Sequence, residues 1–168
     1  MKNYVLTALL LAASASFAQA DSHTMEMPEV VEVIAGDLTI SGAFTRATLP
    51  NAPVAGGFLD ITNNGAGDDR LISAVSPIAM VTQIHEMAME GDVMKMRELP
   101  EGLVIPAGET VHLMPGGYHV MFMDLTGPLA EGETIKVRLN FEVAGEVDLD
   151  MPVGPTNAKM GGMPKASE

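Results

Sequence analysis

The 168-residue sequence contains no cysteine and no tryptophan, and aromatic residues make up only 4% of it. Without a thiol there is no disulfide and no thiol redox chemistry. Nor is there the thiolate ligand that blue-copper electron-transfer sites use. A fold without disulfide staples has to rest on its apolar core. Basic residues are scarce too: nine Lys and Arg against 22 Asp and Glu give a net charge of −13. Such a surface repels nucleic acid and anionic lipid and attracts cations, although solubility alone accounts for most of these charges. Catalytic signatures are missing. There is no G-x-S-x-G nucleophile elbow, no P-loop and no dinucleotide fingerprint. His85-Glu86 opens an H-E-x-x-H zinc motif, but Met89 stands where the second histidine belongs. That segment also alternates like a strand, whereas the zinc motif needs a helix. An enzyme is not expected.

The two ends differ from the middle. Lys2, the apolar run Val5 to Ala13 and Ala18-Gln19-Ala20 have the form of a secretory signal peptide over residues 1–20. A cut after Ala15 is a less well-formed alternative. Cleavage after Ala20 removes the charge of Lys2, takes −13 to −14, and implies a periplasmic protein. No other stretch reaches the roughly 18 apolar residues of a membrane span. Residues 21–28 read as a flexible arm, and residues 154–168, rich in Gly, Pro and polar residues, as a flexible tail.

Between them, residues 29–153 read as one domain of short alternating bursts broken by Gly, Pro and Asn. Strands are expected near residues 30–35, 38–44, 57–62, 70–75, 82–89, 93–98, 110–114, 118–125, 134–143 and 146–151. Asn63-Asn64-Gly65 has the form of a hairpin turn. Turn signals every 8 to 12 residues or so mark a β-sandwich or barrel. In Tyr118 to Met123, Tyr, Val and Phe form a core face. His119, Met121 and Met123 form the other, expected to be exposed or metal-facing.

Methionine is the abundant residue, 14 in all. A methionine on a strand is ordinarily core filler, so Met87, Met89, Met94 and Met123 are expected to be at least partly buried. His85 to Met121 reads differently, because imidazole and thioether together suit copper, and thioether favours Cu(I). A hairpin loop fits at Glu90-Gly91 or at Gly91-Asp92. The first sets His85 opposite Met96; the second sets Met87 opposite Met96. Either way His85 and Met96 share a face, where opposed Cβ atoms lie roughly 5 Å apart. His119 and Met121 are i and i+2 on a strand, roughly 6.6 Å apart and pointing the same way. A His2Met2 site of His85, Met96, His119 and Met121 needs only that the hairpin and this strand be neighbours. Met87 is the substitute ligand, and His112-Leu113-Met114 a reserve.

His85, Met96 and His119-Val120-Met121 resemble the copper-binding pattern of the periplasmic PCu(A)C copper chaperones. Flanking phrases resemble that family too: Gly42-Ala43-Phe44-Thr45-Arg46-Ala47, Ala55-Gly56-Gly57-Phe58, Ile61-Thr62-Asn63-Asn64, Gly91 to Arg97 and Pro115-Gly116-Gly117-Tyr118-His119. Phe44 stands in place of the family's tryptophan, and His112 in place of an acidic or polar residue. The resemblance implies a cupredoxin-like (Ig-like) all-β sandwich that carries Cu(I). It implies delivery to the dinuclear copper centre of cytochrome c oxidase during assembly, alongside a Sco-type copper chaperone. A copper sequestration or resistance protein and a metal-independent β-sandwich interaction module are the other readings. Finally, a mature chain starting Asp21-Ser22-His23 offers an amine, two backbone amides and an imidazole, a square of four nitrogens that suits Cu(II). Met25 and Met27 follow it.

Overall fold

Alternation builds this fold. A computed structural model describes residues 32–159, and among them are eleven strands and no helix. These are β1 (Val33–Ala35), β2 (Leu38–Arg46), β3 (Val54–Asn63), β4 (Asp69–Val75), β5 (Ala79–Glu90), β6 (Val93–Glu98), β7 (Leu103–Ile105), β8 (Thr110–Leu113), β9 (His119–Leu125), β10 (Thr134–Phe141) and β11 (Glu146–Gly154). In β10 and β11 every second residue is buried: Ile135, Val137, Leu139 and Phe141 face Val147, Leu149, Met151 and Val153. The residues between them are largely exposed, as a half-buried strand requires.

The strands form an Ig-like β-sandwich. One layer runs β6-β5-β9-β3-β2, with β1 on β2 and β8 on the second half of β3; the other runs β11-β10-β4-β7. β11 joins them. Its first seven residues pair antiparallel with β10, and Val153 and Gly154 then pair parallel with Thr45 and Arg46 of β2. The core fills the space between the layers, with Leu38, Ile40, Leu59, Ile61, Val120 and Phe122 from the first and Leu71, Ile105, Val137 and Leu139 from the second. Gly57 makes room for it. A Cβ there would lie 2.9 Å from the Phe122 ring, closer than packed carbon atoms tolerate.

Asn63-Asn64-Gly65 is not a hairpin turn. β3 pairs with β2, β8 and β9, while β4 pairs with β7 and β10, so the segment carries the chain from one layer to the other. Buried Asn63 holds the crossing. Its amide donates to the carbonyls of Gly67 (2.9 Å) and Ile105 (3.0 Å), and its Oδ1 accepts from Gly65 N–H (2.9 Å). A side chain so engaged supplies the bonds a tight two-residue turn would otherwise make. β7 has only three residues and too little alternation to stand out in the sequence. β11 extends to Gly154, one residue beyond the expected domain limit. Past it, Ala158 packs on Phe44 and Phe58, and its carbonyl accepts from Arg46 Nε at 2.8 Å. Phe44 lies against Phe58 with ring centroids 5.1 Å apart.

Candidate metal centre

The outer face of the first layer holds the candidate ligands. Gly91, at φ +63°, gives the left-handed backbone that a two-residue hairpin loop asks of its first residue. The loop is therefore Gly91-Asp92, and the register follows: His85 opposite Glu98, Met87 opposite Met96, Met89 opposite Met94. On its other side β5 pairs with β9, setting His85 opposite His119 and Gln83 opposite Met121. His119, His85 and Glu98 thus form one row across three strands. Met121 lies on one flank of the histidine pair, beside His119 on β9. Met87 and Met96 form the next row on the other flank.

The histidine rings meet edge to face, with centroids 5.8 Å apart. Each is polarised by a hydrogen bond on one nitrogen. His85 Nε2 lies 2.8 Å from Gln83 Oε1; a carbonyl oxygen only accepts, so Nε2 carries the proton and Nδ1 keeps its lone pair. That Nδ1 is buried without a hydrogen-bond partner. For His119, Nδ1–H donates to the Gly117 carbonyl at 3.1 Å, leaving the lone pair on Nε2. The same carbonyl accepts from Met87 N–H at 3.2 Å, so the Pro115-Gly116-Gly117 loop ties His119 and Met87 together. Burial and the neighbouring His119 push the His85 pKa below its ordinary value, against a smaller opposite pull from Glu98. Imidazole must be neutral to coordinate a metal, and this environment favours the neutral form. An unpartnered buried acceptor costs about 1–3 kcal/mol; a metal ion at His85 Nδ1 would satisfy it. The donor set, two imidazoles among thioethers, suits Cu(I).

The expected ligands are partly brought together. His85 and His119 are cross-strand neighbours, and Met121 shares their face. Met96 faces Met87 rather than His85, so by register Met87 is nearer to His119 than Met96 is. His119, on the face expected to be exposed or metal-facing, is only 7% exposed. Met89 and Met94, expected to be at least partly buried, are 61% and 54% exposed: the end of the β5–β6 hairpin extends past the start of β9, and among the described residues no strand pairs beside it. Met87 and Met123 are half-buried. His112 sits on β8 with its Nδ1 2.7 Å from the Asp60 carboxylate. Asp21 and His23 lie outside the described residues. Gln83 and Glu98 were not anticipated, although strand parity alone places Gln83 on the face of His85.

The Ig-like sandwich that presents these residues has the fold of a PCu(A)C domain. The copper-bound PCuAC domain from PmoF2 matches with a TM-score of 0.62 and 27% identity, over 73% of this chain and 97% of that domain. The solution structure of CuI-DR1885 from Deinococcus radiodurans matches with a TM-score of 0.58 and 25% identity, over 82% of this chain and 85% of that one. The chain belongs to the LpqE-like, PCu(A)C-type family: the family model described as "Putative lipoprotein LpqE-like" matches residues 38–153. It is 34% identical to "Putative lipoprotein Lxx21020" of Leifsonia xyli subsp. xyli (strain CTCB07), over 71% of this chain and 70% of that protein.

Proposed function

We propose that this protein is a periplasmic copper chaperone that holds Cu(I) at His85 and His119, with Met121 and Met96 as thioether ligands and Met87 able to replace Met96. The observation that carries the reading is the histidine pair. Two imidazoles are fixed side by side, each with one lone pair free and one of those buried without a partner. The kinship with copper-bound PCuAC domains supports it. The recipient is the copper-site subunit of cytochrome c oxidase during assembly, with a Sco-type chaperone as co-worker. Transfer is ligand exchange. A thioether is a neutral, weakly basic donor that leaves without taking a proton, so thiolates of the recipient replace the thioethers one at a time.

The test is a Cu(I) titration against a competing chelator. His119→Ala should weaken binding by more than the roughly 10–100-fold that follows loss of a group merely supporting a ligand. Because His119 is buried, circular dichroism must show the variant folded. Unchanged affinity in a folded His119→Ala protein removes His119 from the site. Delivery is tested separately, by copper transfer to a soluble fragment of the oxidase subunit. A mature chain starting at Asp21 should also take up Cu(II) in a complex abolished by His23→Ala.

A further inference from the structure

The β5–β6 hairpin has two unlike faces. On one, Glu86 pairs with Arg97 and Glu90 with Lys95. The other carries four methionines in two rungs, Met89 opposite Met94 at the tip and Met87 opposite Met96 behind it. The next row is His85 and Glu98, and beside His85 lies His119. Exposure falls steadily along this line: 61% and 54% at the tip rung, 48% at Met96, half-buried at Met87, 7% at His119. A core would place its thioethers the other way, inward and covered.

We propose that Met89 and Met94 form a second, sulfur-only Cu(I) site at the hairpin tip, completed by whichever sulfur of the Met87–Met96 rung the histidine pair leaves free. This rests on the reading of the histidine pair as a Cu(I) site. The distances allow it. Opposed Cβ atoms lie roughly 5 Å apart and successive rungs roughly 7 Å apart. Each methionine sulfur stands two flexible bonds beyond its Cβ, so three can converge on one ion at about 2.3 Å, the figure for zinc–sulfur bonds. Thioether sulfur is a soft donor and suits Cu(I). The tip is the capture point and the histidine pair the holding point. Between them the shared rung forms one copper–sulfur bond as another breaks. Copper stays Cu(I) throughout, so no electron or proton has to move.

The experiment follows methionine methyl and histidine ring signals by NMR as Cu(I), supplied anaerobically as its acetonitrile complex, is added to the full chain. Methyl signals are assigned by single Met→Leu changes, which also separates Met25, Met27, Met160 and Met163. With the first equivalent, the His85 and His119 rings and the Met121 methyl should shift. With the second, the Met89 and Met94 methyls should shift together. The double variant Met89→Leu/Met94→Leu should lose that second uptake and keep the first. If the histidines respond but Met89 and Met94 stay still through the second equivalent, the tip site is overturned and the chaperone reading stands. Histidines silent while the tip fills would sink the chaperone reading and leave the tip site. Second uptake that persists in the double variant, on the terminal methionines, also overturns the tip site.

Discussion

The β10–β11 and β5–β6 hairpins are built on one plan and put to different ends. Each has one face of paired charges: Lys136–Asp150 and Arg138–Asp148 on the first, Glu86–Arg97 and Glu90–Lys95 on the second. The other face separates them. β10–β11 presents mainly branched aliphatic groups, all buried, whose few rotamers pack in one way. β5–β6 presents thioethers, which are flexible, polarisable and left half in solvent. The first face stabilises the sandwich. On the second, Met89, Met94 and Met96 remain exposed.

The sharpest way to break this contrast is to truncate one residue on each face. Leu139→Ala, in the middle of the core, should lower stability by about 2–5 kcal/mol in urea denaturation. Met94→Ala should change it by no more than about 0.5 kcal/mol. Comparable losses in the two variants would show that the thioether face is structural after all. Next in size is the buried link between the layers. Asn63→Ala leaves the Ile105 and Gly67 carbonyls without their donor and should cost about 1–3 kcal/mol. The loop should also become more open to amide hydrogen exchange.

A smaller effect tests the histidine pair without metal. The folded-state pKa of His85 is depressed, chiefly by burial. As pH falls below the ordinary histidine value of about 6.5, the unfolded chain takes up the proton first. Apo-protein stability from this group is therefore present above about pH 6.5 and declines below it, levelling off beneath the folded pKa. The urea midpoint should fall less steeply with acid in His85→Gln than in the parent protein; equal slopes would assign the acid sensitivity to other groups. The smallest effect belongs to the shared charged faces. Lys136→Ala, which breaks an exposed ion pair with Asp150, should leave the urea midpoint where it was.

Much of the candidate site was legible because strand geometry is local. Side chains alternate with a period of two, so His119 and Met121 had to share a face, as did His85 and Met96. Strands, turns and core face in β9, β10 and β11 followed from the same alternation. Asn63 misled because its composition signals a tight turn, while its side chain bonds to Ile105, 42 residues away. Met89 and Met94 misled because a methionine on a strand carries no mark of whether another layer will cover it.

The sequence by itself determined a β-rich, cysteine-free chain with imidazoles and thioethers on common strand faces, and its kinship to a copper-carrying family. Only the tertiary structure decided that β5 lies beside β9, so that His85 meets His119. Of the two loops the sequence allows it chose Gly91-Asp92, which sets Met96 opposite Met87 and not opposite His85. The reason is physical. A strand's own backbone dictates which way its side chains point, but its neighbour is chosen by the burial of whole sheet faces, summed over residues far apart in the chain. The burial of His119 and the exposure of the methionine tip are results of that choice, and no single segment encodes them.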